Sequence, residues 1–103
     1  MEIEILRKCC QISAFKVTNH GLEEMENDNI LLEDIKNALQ NGEIIEDYPT
    51  DFPFPSCLVL GWNKENDPIH MVWAFNKEKE MAILVTTYKP DESKWLNYRT
   101  RIK

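Results

Sequence analysis

Ile5, Cys9 and Ile12 recur at helical spacing within a charged stretch, so Glu2 to Ile12 reads as a short amphipathic helix. Ala14 to Val17 is a brief extended stretch. Thr18 or Asn19 can then accept a backbone N–H at the start of a second helix, whose positive end suits Glu23 and Glu24, and His20 falls in its first turn. After the polar break Asn27-Asp28-Asn29, the apolar residues Ile30, Ile35, Ala38 and Leu39 return at helical intervals until Asn41-Gly42 closes a third helix. Glu43 to Tyr48 can form a strand, and Pro49, Pro53 and Pro55 forbid regular pairing in the loop that carries Phe52 and Phe54. Ser56 to Trp62, Ile69 to Phe75 and Met81 to Tyr88 are apolar strands joined by short polar turns. Consecutive strands with short turns form an antiparallel meander. The expected fold is α+β: two or three N-terminal helices packed on a roughly four-stranded antiparallel meander, in one domain over residues 1–103.

Successive strand residues point to opposite faces. Ile69, Met71, Trp73 and Phe75 therefore share one side of their strand, and His70, Val72 and Ala74 the other. In the last strand Ile83, Val85 and Thr87 oppose Ala82, Leu84, Thr86 and Tyr88. If these two strands are neighbours, His70 joins Thr86 and Tyr88 on one face. Large rings in so small a domain belong in its core, so Trp62 and Trp73 are expected there.

Of the 103 residues 43% are hydrophobic, enough for one core. The chain starts Met-Glu-Ile-Glu, with acids where a secretory leader carries bases, and no apolar run approaches the roughly 18 residues of a membrane span, so the cytoplasm is the expected compartment. Cys9, Cys10 and Cys57 are odd in number and lack a zinc-ligand spacing, so they read as reduced, packed thiols. Net charge is −6, unevenly spread: Glu23 to Asp51 holds ten acids and one base, Lys36, whereas Lys89 to Lys103 holds five bases and two acids. A phosphate-bearing partner would have to approach the basic C-terminal tail, residues 96–103.

One ordered set of residues stands out: His20 opening a helix, Met25, Ile30, Asp34-Ile35, Asn41-Gly42-Glu43-Ile44-Ile45-Glu46 leading to Tyr48-Pro49, Leu58-Val59-Leu60-Gly61, Pro68-Ile69-His70, Val85-Thr86-Thr87-Tyr88-Lys89-Pro90 and Trp95. From about residue 15 to 95 it resembles the bacterial and archaeal family called domain of unknown function 4258. Members are often encoded beside zinc-finger proteins of the antitoxin type, and their helices-then-sheet layout is similar to that of RelE-like, metal-independent endoribonucleases. The resemblance thus implies a toxin-like or degenerate metal-independent ribonuclease with RNA or a zinc-finger antitoxin-like protein as partner. The chain departs from the family where most members carry two arginines in the helix after the His. Those positions are Glu24 and Asp28, and they repel an RNA backbone.

Cleavage of RNA by side chains alone needs a base for the 2′-hydroxyl, an acid for the leaving oxygen and a cation for the phosphorane. His20 and His70 are the only histidines. The expected assignment is His20 as base or acid, His70 as its partner, Thr86 and Tyr88 as orienting or proton-donating groups, and Lys89 or Lys16 as the cation. No cofactor motif and no metal-ligand spacing occurs. The competing reading is a non-catalytic protein-interaction module, in which the acidic helices and the Phe52–Pro55 loop bind a partner protein; a homo-oligomer would form by pairing of an exposed sheet edge with another copy.

Overall fold

A computed structural model describes all 103 residues. Its elements are α1 (Ile3–Gln11), β1 (Phe15–Val17), α2 (Asn19–Asn27), α3 (Leu32–Gln40), β2 (Glu43–Tyr48), β3 (Ser56–Trp62), β4 (Pro68–Asn76), β5 (Met81–Tyr88), β6 (Trp95–Leu96) and β7 (Thr100–Arg101). Three helices pack on a five-stranded, mostly antiparallel sheet of order β1-β5-β4-β3-β2, and β6 and β7 form a separate hairpin. The α+β class and the β2–β5 meander are as expected. The sheet gains a fifth strand because β1 pairs parallel to β5, with Phe15 opposite Ala82 and Val17 opposite Leu84. Three residues carry no alternation long enough to read, yet they satisfy the open edge of β5: Ala82 N–H donates to Ala14 O at 3.1 Å, and Thr18 N–H to Leu84 O at 3.0 Å.

α2 continues along the same edge, beside the half of β5 that β1 leaves uncovered. The Thr18 hydroxyl accepts the Gly21 N–H at 2.9 Å, capping the helix, and donates to Val85 O at 2.7 Å. At the far end the Asp28 carboxylate accepts the Lys89 N–H at 2.8 Å. Asp28 thus ties α2 to the end of β5.

All three helices contribute to one apolar layer on a single face of the sheet. Leu6, Cys9 and Cys10 of α1 and Ile35, Ala38 and Leu39 of α3 close over Cys57, Val59, Ile69, Met71, Trp73, Ala82 and Leu84, with Met25 of α2 at the margin. The three thiols are free and buried, and burial pushes Cys10 up to about 11 and Cys57 up to about 12, so these two stay protonated. Leu84 corrects the alternation read in β5. Val72 pairs with Thr86 but Trp73 with Leu84, so Val85 is an extra residue in a β-bulge. The bulge turns Leu84 and Ala82 onto the helix side with Thr87, and leaves Ile83, Thr86 and Tyr88 on the other. Trp73 joins this core, whereas Trp62 lies on the opposite face, half-exposed. No helix is long and apolar enough to cross a membrane.

Candidate active site on the helix-free face

Cross-strand register places three rows of side chains on the face without helices. Glu43, Leu60, His70 and Tyr88 make the first, Glu46, Leu58, Val72 and Thr86 the second, and Tyr48, Ser56, Ala74 and Ile83 the third. A bulge at Ile45 aligns Glu43, Glu46 and Tyr48 on this side. His70, Thr86 and Tyr88 therefore lie on one face.

Residues 91–103 fold back over these rows, which corrects the expectation of a free basic tail. Asn97 and Tyr98 both have positive φ, 52° and 63°, and the Arg99 N–H donates to Leu96 O at 3.0 Å, closing a tight turn. A left-handed conformation at a tyrosine costs of order 1 kcal/mol. It delivers the Tyr98 carbonyl to His70 Nε2 at 2.7 Å. Trp95, 5% exposed, sets its ring edge-on to His70 at 4.5 Å between centroids. Arg101 lies over Trp95, 4.6 Å from the ring centre, and its Nε and terminal nitrogen reach both oxygens of Glu46 at 3.1 to 3.4 Å. Arg99 pairs with Glu43, and the Tyr48 hydroxyl donates to Glu46. The tail's arginines are thus taken up by two acids of β2, because alternate residues of a short strand reach the same strand opposite.

His70 is fully buried, and its two nitrogens are occupied by groups that dictate its tautomer. A carbonyl only accepts, so Nε2 carries the hydrogen toward Tyr98, and Nδ1 is left as the acceptor for the Tyr88 hydroxyl at 3.2 Å. Burial lowers the His70 pKa, against the opposing pull of the Tyr98 carbonyl and Glu46, and the ring is neutral at neutral pH. Burial raises Tyr88, which stays a phenol. Burial also works to raise Glu46, but the bonds from Arg101 and Tyr48 outweigh it and hold the carboxyl below its ordinary range. The Glu46 bond in turn holds Arg101 protonated. The arrangement can accept a proton at Nδ1 and give one from a phenol, with a guanidinium held nearby over Trp95.

Of the residues singled out in the sequence, His70, Tyr88 and Thr86 share this face, with Thr86 half-exposed in the neighbouring row. His20 is exposed in the first turn of α2 and takes part in none of the contacts around His70. Lys16 shares the face at its far edge, opposite Ile83, and Lys89 contributes its backbone N–H to Asp28. Glu46, Tyr48, Tyr98 and Arg101 were missed. The alternation of Arg99 and Arg101 after Trp95 was the available signal for a short returning strand. No group of three or more His, Cys, Asp or Glu converges as a metal site.

The depressed pKa of His70 has a consequence for stability. Between the ordinary value of 6.5 and the lower folded value, the unfolded chain binds more protons, so stability is lost as pH falls through this window. The urea midpoint is expected to be lower at about pH 5.5 than at about pH 7.5, before the carboxylates titrate. Equal midpoints would contradict a buried neutral His70.

Neither the curated proteins nor the solved structures contain a match to this chain. A family model described as domain of unknown function (DUF4258) matches residues 17–89, from β1 through β5, and so includes His20, Glu46, His70, Thr86 and Tyr88 but not the hairpin. The chain belongs to the DUF4258 family.

Proposed function

We propose that this domain cleaves RNA in the manner of a toxin-type endoribonuclease, using the His70–Tyr88–Arg101 cluster. The observation that best supports the reading is the meeting of an unprotonated imidazole nitrogen, the phenol hydrogen-bonded to it and a guanidinium on one face of the sheet. The 2′-hydroxyl gives its proton to His70 Nδ1 as its oxygen attacks phosphorus. The P–O5′ bond breaks, its electron pair stays on the 5′-oxygen, and the Tyr88 hydroxyl protonates that oxygen. The products are a 2′,3′-cyclic phosphate and a 5′-hydroxyl. His70 is left as imidazolium and Tyr88 as phenolate, and the proton returns across the 3.2 Å that separates them. Arg101 stabilises the phosphorane, in place of the arginines absent at Glu24 and Asp28. Glu46 and Tyr48 are positioning residues for its guanidinium, and Thr86 is free to orient a substrate oxygen.

The test is cleavage of single-stranded RNA by purified protein, together with growth and RNA integrity after induction in cells. His70→Ala, Tyr88→Phe and Arg101→Ala are each expected to slow cleavage by about 10²-fold to 10⁴-fold, whereas His20→Ala leaves the rate within about twofold. Cyclic-phosphate ends are expected, and a 2′-deoxy linkage resists. Absence of cleavage, or cleavage indifferent to both His70→Ala and Tyr88→Phe, would overturn the assignment.

A second reading, a protein-binding module, draws on Phe52. This ring is 90% exposed on the Pro-bounded loop, beside a groove of about 620 Å³ lined by Met1, Ile5, Phe54, Pro55 and Phe75. Leu22, Leu31 and Leu32 are also exposed among the acids of α2 and α3. An antitoxin-like protein with a basic face would suit these helices. Under this reading Phe52→Ser weakens complex formation at least about tenfold without changing the thermal midpoint, and unchanged affinity would remove the loop from consideration.

A further inference from the structure

The geometry points to the C-terminal hairpin as a removable cover of the His70 site, latched by Arg99 on Glu43 and by Arg101 on Glu46, which lifts to admit the substrate and closes again to return Arg101 to it. The inference rests on the catalytic reading above, since without chemistry at His70 there is nothing to admit.

Three observations carry it. First, His70 has no exposed surface although all helices lie on the other side of the sheet, so the roof over it is the hairpin itself, through Trp95 and the Tyr98 carbonyl. A substrate hydroxyl has no path to the ring while the hairpin is down. Second, the hairpin is held as an appendage. Its two strands are two residues long and pair with each other, and its backbone hydrogen bonds run within residues 91–102. What joins it to the five-stranded sheet is side-chain packing, one carbonyl on an imidazole, and two arginine latches. Third, three of the four latch side chains are open to solvent: Arg101 keeps 61% of its exposure and Arg99 and Glu43 about half of theirs, whereas Glu46 keeps 25%. Exposed ion pairs are weak, screened by salt and readily exchanged for another anion. A phosphodiester approaching over the partly buried Thr86 and Tyr88 meets these two arginines first and competes with Glu43 and Glu46 for them. The hairpin also lies outside residues 17–89, the span matched by the family model, so the covered face belongs to the family domain and the cover to the flanking segment.

The test is amide hydrogen exchange followed residue by residue on the full chain. The amides of Arg99 and Ile102, both hydrogen-bonded within the hairpin, are expected to exchange at least about 100-fold faster than those of Met71, Trp73 and Leu84, by an opening that leaves the sheet intact. Glu43→Gln, which cuts one latch and touches none of the reacting groups, is expected to speed hairpin exchange about threefold, to leave β3–β5 exchange unchanged, and to raise kcat/KM for RNA by a similar factor. Hairpin and sheet amides exchanging at one common rate, in the wild type and in Glu43→Gln alike, would overturn the cover. Independent opening of the hairpin with no RNA cleavage would uphold the cover and overturn the catalytic reading.

Discussion

Gly61→Ala is expected to destabilise the domain by about 3 kcal/mol or more, at the upper end of what overpacking a core costs. Gly61 lies in β3 on the helix side, and α3 crosses directly above it. A Cβ built there would enter the Ala38 carbonyl group, with Ala38 Cα only 2.8 Å away. These are backbone atoms in the last turn of α3 and cannot rotate aside as a side chain would. α3 is also pinned to the end of the same strand, since the Asn37 and Asn41 side-chain amides both donate to Trp62 O at 2.8 Å and Asn41 accepts the Trp62 N–H at 2.8 Å. Relief of the clash therefore breaks either these bonds or the contact of Ala38 and Leu39 with the sheet. Urea denaturation of Gly61→Ala measures the loss, and a midpoint equal to that of the wild type would contradict so close an approach of α3.

Trp73 provides the second large effect, through a contrast between two substitutions. It is fully buried between the helical layer and the sheet, yet its indole Nε1 has no hydrogen-bond partner. Trp73→Ala empties the centre of the core and is expected to cost about 4 kcal/mol. Trp73→Phe keeps most of the ring volume and removes a donor that is buried without a partner, so part of the lost packing is offset and the cost is expected near 1 kcal/mol. Chemical denaturation of both variants measures the ratio. Equal losses would mean that the indole N–H is satisfied and contributes to stability.

The polar face invites comparison with the other ways such a cluster can arise. Perturbed titratable groups gather at active sites, but also in ion-pair networks that fasten a terminal segment. Both descriptions fit Glu46 and Arg101. They separate at His70 and Tyr88, where an unprotonated Nδ1 accepts from a phenol and fastening the hairpin requires only the Tyr98 contact at Nε2. Replacement of Tyr88 by Phe thus probes the chemistry while leaving the hairpin latches in place.

Much of the architecture was legible because it follows from local rules. Helical spacing of Ile35, Ala38 and Leu39 marks a face that burial then uses, and proline content sets off the β2–β3 loop, whereas in α1 the core takes Leu6, Cys9 and Cys10 and leaves the expected Ile5 and Ile12 exposed. Alternation likewise put His70 beside Thr86 and Tyr88, and this grouping survives in the fold. It does so by way of the bulge at Val85, which alternation does not reveal: the bulge keeps Thr86 and Tyr88 opposite Val72 and His70 while turning Leu84 to the helices.

His20 marks the limit of such reasoning. Motif order groups it with His70, but its position in space is decided by where α2 lands, and α2 runs along the edge of β5 through Thr18 and Asp28 with His20 left in solvent. Arg101 is the opposite case, since as a member of a charged tail it looked available to any phosphate.

By itself, then, the sequence determined the helices, the meander and the sharing of a face by His70, Thr86 and Tyr88, since each depends on residues close in the chain or on simple alternation. The tertiary structure alone decided the parallel pairing of β1 with β5, the burial of His70 beneath Trp95, and the pairing of Arg101 with Glu46, 55 residues away. Contacts at that separation depend on how the sheet twists and where the hairpin folds back. No local pattern in the chain encodes either one.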